Sequence, residues 1–169
     1  MPFAYYDRLS PARQRVYRRS DGITRIAVPD LEILEPLARA IEPALGSGNA
    51  TLAQVACVQL IDALNAQMKT PAVRTRVLAR RPSDAGGELH GLYEPDNGEG
   101  PARISVWMRT AARDEVVKFR TFLRTLVHEF CHHLDYELYK LPETFHTEGF
   151  YARESALVRG LLGERPVQA

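Results

Sequence analysis

Apolar residues return at three- and four-residue steps over two stretches of the N-terminal half. Leu31, Leu34, Leu37, Ala38 and Ile41 form the first series, which predicts a helix capped by Asp30 and ended by Pro43 and the Gly46-Ser47-Gly48 run. Leu52, Val55, Ala56, Leu60, Ala63 and Leu64 form the second, which predicts a helix over 51–69 with Cys57 beside its core face. After Pro71 the period drops to two. The run 73–79 has β-branched residues at alternating positions and predicts a strand, and the Pro, Gly, Ser and Asp residues behind it predict a turn. Segments 90–93 and 103–108 predict two further strands, joined by the loop 94–101, so that a small antiparallel sheet is expected. The last long helical period runs over about 114–140. Phe119, Leu123, Leu126, Phe130 and Leu134 fall on one side of it. Thr121, Thr125, His128, His132, Asp135 and Tyr139 form a polar stripe within about 60° of the His128 direction. Pro142 closes this helix, and Thr147 is placed to cap another.

Composition narrows the class. The chain has 169 residues, 45% of them hydrophobic and 25% charged, enough for one domain with a real core. Its helical part is expected over about 1–70 and a sheet-bearing part over about 71–165. Lys+Arg 22 against Asp+Glu 21 gives a net charge of +1, without the excess of a dedicated nucleic-acid binder, so a nucleic-acid partner is not expected. Arg8, Arg13, Arg15, Arg18 and Arg19 near the start read as a solvated arm or helix face. Two cysteines are too few for a disulfide framework or a four-thiolate metal site. No apolar leader and no membrane-length apolar stretch stands in the sequence, which gives a cytoplasmic expectation.

The polar stripe carries the chemistry. His128-Glu129-Phe130-Cys131-His132 is an HExxH pattern; at 100° per residue its histidines lie about 40° apart and one turn along, so both imidazoles reach one ion. Glu129 sits beside them, able to take a proton from a water at the ion without being a ligand. With 5 histidines in 169 residues, chance gives such a pattern on the order of 0.01 times. A catalytic zinc takes three protein ligands. Asp135 and Leu138 occupy the positions that an HExxHxxGxxH extension would fill with Gly and His, so the third ligand lies elsewhere. His146 is one candidate, in a loop able to fold back over the pair. Glu154 is the other, because a carboxylate sharing a face with Phe150, Leu157 and Leu161 needs a cation or donors.

Gly91-Leu92-Tyr93, Ile104-Ser105-Val106, HEFCH and then His146-Thr147-Glu148-Gly149-Phe150 resemble the SprT-like and related small zincin metallopeptidases over a little more than half of the chain. The resemblance implies an α+β, zincin-like fold: a small antiparallel or mixed sheet packed with helices, and a central active-site helix over about 114–140. It implies Zn2+ held by His128, His132 and His146, Glu129 as general base and acid, and a peptide or protein substrate. The chain lacks the zinc ribbon and basic region of the DNA-associated members. Glutamate-ligand zincins would place Glu154 at the metal instead.

Other residues receive smaller roles. Asp135 is placed to accept from a ligand imidazole or to lie on the helix surface. His133, about 100° from His132, reads as packing or solvent-facing, Cys131 as a buried thiol, and His90 as a loop histidine near the cleft. Tyr151 and Arg153 are candidates for stabilising an oxyanion, and the strand at 103–108 for pairing with an extended substrate. The rival readings are a zinc hydrolase of a non-protein amide and a metal-holding regulatory or interaction domain without peptidase activity.

Overall fold

The computed structural model describes residues 1–164; the end of the expected sheet-bearing part at 165, and of the domain at 169, lies outside the described residues. A short 3-10 turn, Ala4–Arg8, leads into helix α1, Pro11–Asp21. Ser10 caps α1 by accepting from the Arg13 amide, with Pro11 at the first position, where its missing N–H costs nothing. The early arginines thus belong to a short turn and a helix: Arg13 pairs with Glu143 at 2.8 Å, and Arg19 donates to the Tyr139 carbonyl at 3.3 Å.

The single helix expected from Asp30 onward is two. Asp30 caps α2, Leu31–Arg39, and after Ala40 the chain starts again as α3, Ile41–Gly46. Pro43 has no N–H for the Arg39 carbonyl and its ring crowds that turn, so one continuous helix cannot pass. Gly48 takes a left-handed φ of 71° and hands the chain to Asn49, whose side chain accepts from Thr51 and Leu52 to start α4, Ala50–Met68.

Five strands follow: β1, Arg74–Arg80; β2, Ser83–Asp84; β3, Gly87–Glu88; β4, Gly91–Glu94; and β5, Arg103–Arg109. β2 and β3 form a separate small hairpin, while the main sheet has the order β1-β5-β4. β5 pairs antiparallel with β4 and parallel with β1, so the sheet is mixed rather than antiparallel. β4 and β5 are joined by a simple return loop, whereas a hairpin and β4 intervene between β1 and β5, long enough for a crossover.

Helix α5, Phe119–Glu137, is shorter than the period over 114–140 suggests. Val116 bridges to Arg109, the Val117 amide donates to the Met108 carbonyl, and Asp114 has φ 52°. The two valines therefore extend the pairing of β5 instead of opening the helix. Thr147 caps α6, Glu148–Leu161, by accepting from the Phe150 amide. The sheet lays one face on α4 and α5, and α6 packs against α5, α2 and α1. One core runs through the sheet and α2 to α6, from Leu34 and Leu60 through Ile104 and Val106 to Phe130 and Phe150. Among the described residues no helix is long and apolar enough to cross a membrane.

Candidate metal centre

One helical turn of α5 separates His128 from His132, and their ring nitrogens Nε2 stand 3.2 Å apart. The loop before α6 brings in His146, with its Nε2 3.1 Å from that of His128 and 3.0 Å from that of His132. The three nitrogens form a nearly equilateral triangle. Nitrogens at three corners of a tetrahedral zinc site stand roughly 3.3 Å apart, so the triangle fits one ion to within a few tenths of an ångström.

The protons make the fit chemical as well as geometric. His128 Nδ1 lies 2.5 Å from Glu154 Oε1, a carboxylate that only accepts, so Nδ1 carries the proton and Nε2 is bare. His132 Nδ1 lies 2.7 Å from Thr144 Oγ1, whose own proton goes to Asp135 Oδ2 at 2.7 Å. His132 must therefore donate through Nδ1, and its Nε2 is bare too. Two lone pairs facing each other at 3.2 Å have no proton between them to relieve the repulsion; a shared cation does so. The described residues contain one group able to hold a metal ion in this way, His128, His132 and His146.

Each donor is held from behind. Glu154 receives Arg124 Nη1 at 3.2 Å on its second oxygen, and the same nitrogen reaches Ser155 Oγ at 3.1 Å. Asp135, fully buried, receives Arg153 Nη2 at 2.8 Å, and Arg153 also donates to the carbonyls of Ser20 and Ile23 at the end of α1. Tyr5 donates to the His146 carbonyl at 2.7 Å, tying the N-terminal turn to the third donor. Phe150 forms an apolar floor, its ring centroid 5.0, 4.8 and 5.3 Å from those of His128, His132 and His146. Burial favours the neutral form of two of the imidazoles: it holds His132 down at about 3, helped by the fields of His128 and His146, and it lowers His146 as well.

Glu129 is 7% exposed and stands next to the triad. Burial pushes its carboxyl up to about 7, with His128 pulling down and Glu154 pushing up. β4 crosses in front of it. A Cβ on Gly91 would come within 2.9 Å of Glu129 Oε1 and 2.8 Å of Thr125 Cγ2, so any side chain there would displace these two. Two clefts flank Glu129 and His128, one of about 410 Å³ that reaches His90 and Arg124, the other of about 330 Å³ that reaches His132 and Tyr136. His90 lines the first cleft, 3.8 Å from Glu88.

Glu154 lies behind His128 rather than in the triangle. Asp135 is not on the helix surface, and it reaches His132 through Thr144. His133 is buried, bonded to the Pro71 carbonyl at 2.8 Å and the Tyr93 hydroxyl at 2.9 Å, and Cys131 is a fully buried thiol that burial pushes up. Arg153 is fully buried with its charge matched by Asp135, and cannot serve an oxyanion. Tyr151 remains at the mouth, 41% exposed, with its ring 5.8 Å from that of His146. β5 is the central strand with both edges paired, so it cannot accept an extended substrate; the strand beside the site is β4. Tyr5, Arg124 and Thr144 were not singled out by the sequence, since each meets the site only through the tertiary fold. Comparison with protein-family models, curated proteins and solved structures finds no match.

Proposed function

We propose that the chain is a zinc-dependent hydrolase of peptide bonds. The observation that carries the reading is the triangle of three Nε2 atoms, two of them bare, with the carboxyl of Glu129 beside it, unneeded as a ligand. Three imidazoles and no thiolate or extra carboxylate suit zinc with one position left for water or substrate. Zinc, when bound, polarises a carbonyl and makes a water acidic enough to ionise near neutral pH.

The chain's own groups would do the rest. Glu129, buried beside the triad, would take the proton from the attacking water and return it to the departing nitrogen, as a general base and acid does. Tyr151 donates a hydrogen bond to the oxygen that becomes negative. The edge of β4 that faces away from β5 pairs with the main chain of an extended substrate, which is read with little regard to side chains. Glu154 and Thr144 hold the two helix-borne imidazoles in one tautomer and orientation.

The test joins elemental analysis to a peptidase assay. The purified chain is expected to hold one zinc and to cleave an unstructured protein such as casein. His146→Ala loses the metal, whereas Glu129→Gln keeps it and loses cleavage. A chain that holds no metal after zinc is resupplied overturns the metal centre. A zinc-loaded chain whose cleavage survives Glu129→Gln overturns the peptidase mechanism.

A further inference from the structure

The sheet buries one face and shows the other. Val77 of β1 and Ile104, Val106 and Met108 of β5 belong to the core. Alternation turns Arg74, Arg76, Leu78 and Arg80 of β1 the opposite way. The register sets Arg74 beside Arg103, Arg76 beside Ser105, Leu78 beside Trp107 and Arg80 beside Arg109. On β4, Leu92 and Glu94 stand opposite Ser105 and Arg103 on that same outer face. Five arginines thus share one side of a three-stranded sheet, and Glu94 is the single carboxylate the strands place among them.

Among the described residues none of these five arginines makes an ion pair. Hydrogen bonds fix some of them without neutralising them: Arg76 Nε donates to Ser105 Oγ at 2.8 Å, Arg80 Nε to the Ala111 carbonyl at 2.8 Å, and Arg109 Nη1 to the Asp114 carbonyl at 2.9 Å. Arg74, Arg76 and Arg103 also border a groove of about 460 Å³ at the edge of β1, shared with Gln54 and Val58 of α4. Trp107, Leu78 and Leu92 are not part of the hydrophobic core, and Leu92 is 37% exposed.

Arginine and tryptophan without lysine, and nearly without acid, is the composition of a protein interface rather than of a solvated surface. The charge calls for an anionic partner. A nucleic-acid strand would use the guanidiniums and leave Leu78 and Leu92 idle, whereas a protein segment carrying both acidic and apolar side chains uses all of them. We propose that this sheet face docks an acidic segment of a partner protein, with carboxylates on Arg74, Arg76 and Arg103 and apolar side chains on Trp107, Leu78 and Leu92. The arginines of β1 lie across the sheet from α5, whereas Leu92 also borders the cleft beside His132 and Tyr136, so Arg74 and Arg76 are the anchors that stand apart from the metal centre.

Trp107 is the one tryptophan of the chain, so its fluorescence reports occupancy directly. The full chain is titrated with a labelled peptide of alternating Glu-Asp and Leu-Phe pairs, read by anisotropy and by Trp107 emission. Saturable micromolar binding is expected, with a shift in emission, weakening as salt rises from about 50 to about 300 mM. The double variant Arg76→Glu, Arg103→Glu and the single Trp107→Ala each weaken it at least tenfold, and Arg74→Gln with Arg103→Gln gives a milder loss should charge reversal disturb folding. Absence of saturable binding, an unshifted emission, or equal affinity in all variants overturns the proposal. So does tighter binding of a single-stranded oligonucleotide or of phosphatidylserine vesicles than of the peptide.

Discussion

Glu154 accepts from His128 at 2.5 Å and from Arg124 at 3.2 Å, so both of its oxygens are committed and its charge is matched. Glu129, one residue along from His128, is pushed up to about 7 by burial and is available to gain and lose a proton. The two carboxyls therefore fail differently when neutralised. Glu129→Gln is expected to leave zinc affinity within about threefold of the wild type and to lower kcat/KM by about 10²–10⁴, the usual worth of a general base. Glu154→Gln keeps the shape but weakens the acceptor for His128 Nδ1, and zinc affinity in a chelator competition is expected to drop about 10–100-fold. A drop in affinity for Glu129→Gln as large as for Glu154→Gln would merge the two roles. The pair at 128 and 132 was legible because a four-residue step on a helix fixes their relation. Glu154 was visible as a carboxylate on an apolar face, although the sequence left open whether it would hold the metal or a histidine. Thr144 carries no signal of its own: a threonine in a loop becomes the link between Asp135 and His132 only when the loop returns to α5.

At the scale of elements, periodicity located α2, α4, α5 and the three strands of the main sheet, but it left α1 as an arm or helix face, merged α3 with α2, and gave neither directions nor ends. A period of two says that Arg74–Arg80 is a strand and is silent on whether it runs with or against β5. The apolar Val116 and Val117 fit a helical period, yet tertiary pairing with β5 claims them first. Close approaches between elements were equally hidden, and two glycines mark them. An alanine at Gly91 would push its Cβ against Glu129 Oε1 at 2.9 Å and Thr125 Cγ2 at 2.8 Å, far ends of side chains that can shift. Gly91→Ala is therefore expected to move the melting midpoint by only a few degrees while lowering kcat/KM at least tenfold, since the displaced group is the one proposed as general base. At Gly149 the Cβ would lie 2.2 Å from the Asp21 carbonyl oxygen, with backbone on both sides and nothing free to turn. Gly149→Ala is expected to separate α1 from α6 and to destabilise the chain by about 1–3 kcal/mol or more in urea unfolding. A Gly149→Ala chain as stable as the wild type would show that α1 is not held against the metal loop in this way.

For the molecule as a whole, a net charge of +1 averages away what the sheet segregates: arginines on one face of it, buried titrating groups beyond the other. Those buried groups tie global stability to pH in opposite senses. Burial holds His132 at about 3 against an ordinary 6.5, so without metal the folded chain refuses a proton that the unfolded chain accepts. Its contribution is whole above about pH 6.5 and declines by about 1.4 kcal/mol per pH unit as pH falls toward 3. Glu129 is raised from 4.5 to about 7, so there the folded chain keeps a proton that the unfolded chain releases. That contribution is whole below about pH 4.5 and is lost as pH rises toward 7, which offsets His132 through the interval between 4.5 and 6.5. Removing the carboxyl removes the offset. Metal-free Glu129→Gln is accordingly expected to lose stability with falling pH between 6.5 and 4.5 more steeply than the metal-free wild type, by about 1.4 kcal/mol per pH unit in urea unfolding series. Parallel slopes for the two chains would mean that Glu129 titrates alike in the folded and unfolded states, and would remove the proton-handling role that its buried position beside His128 supports.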